Sequence, residues 1–299
     1  MTQVIKPIII VGTGRCGSTL FHTLLARHEQ LMWLNGFAIV FPGRPAINRW
    51  ASTAMGNPLL GRLLGGVIYP MEGYRFWDRY AFGFGEPRRD LVGADVSVRV
   101  KRQLHQAFGA LLTSRRHRLL LKITGWSRMG YLGEVFEDAR FIHIMRDGRA
   151  VASSMLHIDF WNGWFGPQGW RAGLLSPEDQ ALWERYDRSF AALAGIEWRI
   201  QMRAMDAARR QLDPGRFMEI RYEAFCEQPM ETMRQVLDFV ELPASRALER
   251  AVKDARIKST SDRWRDDLAA GQQAILDEVL REDLRRYGYN SGAAPGVEA

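Results

Sequence analysis

At 299 residues, with 46% hydrophobic and 25% charged side chains, the chain has the make-up of a globular protein with a full core, which excludes a disordered or fibrous chain. Basic residues number 41 against 34 acidic ones, and the formal charge of +7, mostly arginine, favours an anionic partner: nucleic acid, an acidic membrane or a small ligand with several phosphates. Cys16 and Cys226 are too few for a disulfide scaffold, and no apolar run approaches the roughly 20 residues of a membrane-spanning helix.

The first element is the stretch "PIIIVGTGRCGSTLF", Pro7 to Phe21, which reads as a strand over Ile8–Val11, a glycine-rich turn and a helix. No basic segment with a cleavable apolar stretch precedes it, which reads as a cytoplasmic protein with both thiols reduced. Gly12 to Thr19 fits the phosphate-cradling pattern G-x-x-x-x-G-K-[ST] except at the lysine, which is Ser18. Gly12, Gly14 and Gly17 let the backbone turn tightly and present its N–H groups, and a helix starting near Gly17 adds free amides and a positive dipole end. The competing reading is a tight strand-to-helix turn with no ligand. Nucleotide hydrolases use the lysine to bridge outer phosphates beside Mg²⁺. Here the cation is Arg15, inside the loop, suited to a shorter anion held without a metal.

Further along, "WLNGF" carries Asn35, which cannot accept a proton, and "YPMEGYRFWDRY" sets Glu72 and Asp78 among aromatics. Val92–Val96 reads as a weak strand, followed by His105 and then by the strand Leu119–Lys122, which ends in a lysine. The strand Phe141–Met145 opens "RFIHIMRDGRAVASSM": Arg146 follows the strand and Ser154 lies on the next helix. A planar arginine fork plus a serine hydroxyl suits a second phosphate. Two other readings stay open: an Arg146–Asp147 pair capping the helix, and Asp147 as a metal-holding acid. "FWNGWFGPQGW", Phe160 to Trp170, reads either as a wall of a second binding site or as a hydrophobic plug.

A helical stripe follows from about Glu178 to Leu212, with Leu182, Tyr186, Phe190, Leu193, Ile196 and Ile200 at three- and four-residue steps, ended by "LDPG". The strand Phe217–Ile220 leads into "RYEAF", with Tyr222, and Pro229 opens a helix running through Val240. "KSTSDRWRDDL" carries Lys258, Arg263 and Trp264, and the small, polar residues from Asn290 onward read as a disordered tail. Apolar runs alternating with amphipathic segments predict one α/β domain over residues 1–289, with a central, mainly parallel sheet flanked by helices and ligands bound beyond the strand carboxyl ends.

The two phosphate motifs together resemble those of sulfotransferases that use 3′-phosphoadenosine 5′-phosphosulfate (PAPS), with "RDGRAV" close to bacterial wording. The resemblance implies a P-loop-like sulfotransferase fold, spans roughly residues 7 to 270, and makes PAPS the co-substrate with no metal. It assigns Arg15 as the catalytic cation and Gly14, Cys16, Gly17, Ser18 and Thr19 as the cradle of the 5′-phosphosulfate, with Cys16 departing from the usual serine. Arg146 and Ser154 match the 3′-phosphate ligands. Tyr222 matches an adenine-packing tyrosine, and Lys258, Arg263 and Trp264 match a loop that closes on the nucleotide. Lys122 resembles a lysine facing the transferring group; two residues later, where cytosolic members carry a histidine base, stands Thr124. That leaves Glu72 as the chosen base, ahead of Asp78 and His105.

The implied partner is a small-molecule, glycan or lipid acceptor; no nucleic-acid motif is present. A Mg²⁺-dependent small-molecule kinase and a non-catalytic nucleotide-binding protein are the rival readings. Neither the acceptor nor the oligomeric state is legible in the residues.

Overall fold

The computed structural model describes residues 3–54 and 68–289; the tail from Asn290 lies outside them. Five strands form the sheet: β1 (Ile8–Gly12), β2 (Leu31–Met32), β3 (Arg118–Thr124), β4 (Arg140–Met145) and β5 (Phe217–Arg221). They lie in the order β2-β3-β1-β4-β5, and every pairing is parallel. Such strands are buried on both faces, which explains why β1 reads as an unbroken aliphatic run. Alternation still sorts the side chains. Ile9 and Val11 enter one core cluster with Leu119, Leu121, Ile123 and Phe141; Ile8 and Ile10 enter the other with Leu120, Ile142 and Ile144. Burying each such aliphatic side chain contributes about 1.5–3 kcal/mol.

The first cluster is covered by the helices Tyr74–Tyr80, Val98–Gly109, Met129–Val135, Gly148–Leu156 and Phe190–Arg209. The second is covered by Ser18–Leu25, Tyr222–Glu227, Pro229–Phe239 and Arg246–Asp254. Lys122 shares its strand face with Leu120, so it lies on the same side as the helix Ser18–Leu25. β1 is central, flanked by β3 and β4 in register: Gly12 stands beside Thr124 and Val11 beside His143. The chain leaves β1 for the β2–β3 side and returns on the other side with β4. The strand order therefore reverses at the carboxyl end of β1, where ligands of open parallel sheets bind.

Two expectations need correction. Val92–Val96 is no strand: it holds a 3₁₀ turn, Gly93–Asp95, pinned by the Asp95 carboxylate, which accepts from the Val92 amide (2.9 Å) and pairs with Arg89 (2.7 Å). The strand at that edge is β2, too short to stand out as a run. The stripe from Glu178 to Leu212 is two helices, Pro177–Arg185 and Phe190–Arg209. Asp187 and Arg188 have positive φ of 51° and 55°, and the Ser189 hydroxyl caps the second helix by accepting from the Ala192 amide. Leu193 and Ile196 are buried as expected, while Phe190 is 42% exposed.

At Gly12 the loop and β4 approach closely. A Cβ there would lie 2.7 Å from both the Cys16 sulfur and the Ile144 carbonyl oxygen. Gly12→Ala should therefore cost about 1–3 kcal/mol, read as a lower midpoint of urea unfolding; an unchanged midpoint would refute the close approach.

Candidate active site

The loop after β1 turns through two left-handed residues, Arg15 (φ 66°) and Gly17 (φ 88°), before the helix Ser18–Leu25 begins. Gly17 is required there twice over. Its φ disfavours a side chain, and a Cβ would lie 2.2 Å from the ring of Tyr222. The helix start receives no side-chain cap and has no acidic residue in its first turn, so its amides and dipole suit an anion.

Arg15 and the tip of β4 meet across this loop. Arg15 Nε donates to Ser154 Oγ at 2.9 Å, joining the two motifs through their side chains. Arg146 donates from one guanidinium nitrogen to the Arg15 carbonyl (3.1 Å) and from the other to the carbonyl (2.8 Å) and hydroxyl (3.1 Å) of Thr260. Its Nε is buried without a partner among the described residues, and the guanidinium lies 4.6 Å over the Tyr222 ring. An unpaired buried cationic N–H beside uncapped helix amides fits a multiply charged anion. Asp147 takes the cap role: it accepts from the Arg149 amide (2.8 Å) and pairs with the Arg149 side chain (2.7 Å).

The third group lies on β3. Lys122, 4% exposed, donates to Thr19 Oγ1 (2.8 Å) and pairs with Glu72 (3.2 Å), while the Thr124 hydroxyl donates to the same Glu72 oxygen (3.1 Å). The carboxylate chosen from sequence thus reaches the strand tip where the resemblance sought a base, and Thr124 orients it. Of the other acids and bases considered, Asp78 accepts from the Gly85 amide (2.8 Å), and His105 bonds the Val135 carbonyl (2.7 Å). Asn35 is fully buried and braces the neighbouring turn through Asn48, Ser52 and the Phe37 amide.

Some expected contacts lie elsewhere. The Cys16 side chain is completely buried among Ile8, Ile10 and Phe21, and burial pushes its thiol up, so the side chain faces the core and only the backbone is left to the loop's open side. Trp264 packs into the core on the opposite sheet face, between the guanidinium groups of Arg149 and Arg265. Arg263 is exposed and pairs with Asp267; Lys258 is exposed. What the segment after Ile257 does bring to the site is Thr260, which no motif flagged.

Beside Gly14 and Arg15 opens a cavity of about 220 Å³. Trp126, Met155, Ile158, Phe160 and Trp161 line it with Tyr74 and Thr124 at the β3 tip. The segment Phe160–Trp170 divides between its two readings. Phe160, Trp161 and Asn162 form cavity wall, whereas Trp170 is buried and donates to the Gly173 carbonyl (2.6 Å). The Tyr74 hydroxyl exchanges hydrogen bonds with the Thr124 amide and carbonyl, both 3.2 Å, and burial raises its pKa. Arg128, largely desolvated and lowered for that reason, holds the carbonyls of Phe84, Gly85 and Trp126 around the rim. Burial likewise raises the carboxyl of Glu197, which also lines the cavity. Glu197 and Gln201, spaced four apart on an otherwise apolar stripe, were the signal in the sequence for this wall.

The sulfotransferase family model matches residues 100–246, covering Lys122, Arg146, Ser154 and Tyr222. The omega-hydroxy-beta-dihydromenaquinone-9 sulfotransferase Stf3 of Mycobacterium bovis is 27% identical over 316 residues, covering 95% of this chain and 75% of that protein. The chain is thus similar to sulfotransferases over this central segment and, at lower identity, over most of its length. The Stf3 of Mycobacterium tuberculosis matches equally well. Among solved structures, the sulfotransferase STF9 from Mycobacterium avium superposes with a TM-score of 0.61 at 20% identity, over 96% of this chain and 78% of that one. The sulfotransferase domain from the curacin biosynthetic pathway gives 0.54 at 15% identity, over 97% and 99%. These likenesses show that the chain has the fold of those sulfotransferases.

The contact between Gly17 and Tyr222 can be tested directly. Gly17→Ala should destabilise the protein, and Tyr222→Ala should relieve part of that loss. The double-mutant cycle should return a coupling of about 0.5–3 kcal/mol, whereas additive losses would show that ring and loop do not touch.

Proposed function

We propose that the protein transfers a sulfuryl group from PAPS to a hydroxyl or amine of an acceptor seated in the cavity beside Arg15, releasing adenosine 3′,5′-bisphosphate. What carries the reading is the meeting of two anion motifs at adjacent strand tips, Arg15 on Ser154 and Arg146 on the Arg15 carbonyl. Bound there, PAPS supplies an activated sulfuryl group with a phosphate leaving group. The amides of Gly17, Ser18 and Thr19 would hold its 5′ phosphosulfate, Arg146 and Ser154 its 3′ phosphate, and Tyr222 its adenine.

Arg15 and Lys122 offset the negative charge that gathers on the bridging oxygen as the S–O bond breaks and its electron pair passes to the phosphate. Glu72 takes the proton lost by the acceptor oxygen as the new S–O bond forms. Thr124 and Lys122 hold that carboxylate at the strand tip. The apolar wall suits an apolar acceptor body, in keeping with the lipid-like quinone in the name of Stf3. Among the described residues no helix is long and apolar enough to cross a membrane.

Adenosine 3′,5′-bisphosphate should raise the melting temperature with EDTA present, since a ligand of the native state stabilises it by mass action. A requirement for ATP and Mg²⁺ would favour a kinase instead. Arg15→Ala should abolish sulfuryl transfer yet keep most bisphosphate affinity, and unimpaired turnover would remove its assigned role. Glu72→Gln should slow transfer by about 10²–10⁴-fold with nucleotide binding intact; full activity would place the base elsewhere.

A further inference from the structure

The cavity wall holds a polar pair that the transfer chemistry above does not use. Glu197 and Gln201 stand one turn apart on the helix Phe190–Arg209, and both line the cavity. The Trp161 indole N–H, which can only donate, meets one Glu197 oxygen at 2.6 Å. The Gln201 amide nitrogen donates to the other at 3.0 Å. With its nitrogen committed to Glu197, Gln201 keeps its carbonyl oxygen, and that oxygen is buried without a partner among the described residues, in a residue only 5% exposed. A buried acceptor left unpaired is costly, so natural proteins rarely keep one unless something completes it. The surrounding wall of Trp126, Met155, Ile158 and Phe160 supplies no complement, because none of these side chains has a donor committed to it; the Trp126 N–H is taken by the Arg171 carbonyl at 2.8 Å.

We propose that Gln201 Oε1 is a recognition site for a hydrogen-bond donor on the acceptor substrate, separate from the hydroxyl or amine that receives the sulfuryl group. The acceptor class is then an apolar or aromatic body bearing two polar ends: one at Arg15 and Glu72, the other an O–H or N–H at Gln201. Glu197 is a positioning residue. It holds the Gln201 amide nitrogen, which leaves the amide oxygen as the group still to be paired, and Trp161 holds Glu197 in turn. This inference rests on the cavity being the acceptor site of the proposed transfer.

The test uses the full chain and three phenols matched in length: 4-(2-hydroxyethyl)phenol, which has a second donor, 4-propylphenol, which has none, and 4-(methoxymethyl)phenol, whose ether only accepts. Their binding is measured by calorimetry with adenosine 3′,5′-bisphosphate both present and absent, so no turnover is needed. The hydroxyethyl compound should bind about tenfold to a hundredfold more tightly than either of the others. Gln201→Leu should erase the difference while leaving bisphosphate affinity as it was. Gln201→Met, of similar length, serves if the leucine variant does not fold.

Equal binding of the three phenols, binding of none, or preference for the methoxy compound overturns the proposal. So does discrimination that survives the loss of Gln201. Failure of the bisphosphate to bind, with phenol discrimination intact, would instead count against the donor assignment and leave the recognition site standing.

Discussion

The site depends on how closely the loop after β1 packs against the tip of β4. Gly12 leaves no room for a side chain between the Cys16 sulfur and the Ile144 carbonyl, and the backbone turns immediately beyond it. That contact carries the Arg15 carbonyl to within reach of Arg146 and the Arg15 side chain to Ser154. A parallel sheet makes it possible, since neighbouring strands end level and their following loops share one edge. A one-residue slip of β4 against β1 would turn Ile142 and Ile144 to the wrong face and separate the two arginines.

The same edge explains how charge is managed. Arginine and lysine side chains are brought into a crowded, partly dry pocket, where unpaired cations are costly. Each is held by neutral oxygens or a single carboxylate: Arg146 by the Thr260 and Arg15 carbonyls, Lys122 by Thr19 and Glu72. Neutral partners hold a guanidinium in place without cancelling its charge, which keeps it attractive to an anion. Ion pairs with stronger geometry, such as Arg149 with Asp147, lie one step behind and fix the helix that carries Ser154. Tyr222 plays a double part, filling space above Gly17 and stacking under Arg146.

The arginine cluster and the cavity beside it are built differently. The cluster is made of backbone amides and arginines on strand tips, and its geometry follows from the sheet. The cavity is made of aromatic side chains from Trp126 and from the segment after the helix Gly148–Leu156, closed by the long helix Phe190–Arg209. Its walls come from segments far apart in the chain, as the Arg171–Glu86 ion pair and the Trp126 bond to the Arg171 carbonyl illustrate. The cavity is therefore a product of loops and one helix face, while the arginine cluster is a product of the sheet.

Local residue order was enough to place the glycine loop after β1, four of the five strands seen among the described residues and the arginines that follow β1 and β4, because glycine turns, aliphatic runs and their spacing are short-range signals. It was also enough to single out Lys122 and, from its aromatic setting, Glu72. Folding alone decided that Glu72 and Thr124 meet at Lys122, that Cys16 turns into the core, and that Trp264 packs on the far face while Thr260 comes to Arg146. It likewise decided that β2 forms the edge and that Asp187 and Arg188 break the long helix. These outcomes depend on which distant segments share a sheet face, and contact between residues a hundred positions apart leaves no trace in the local pattern of either.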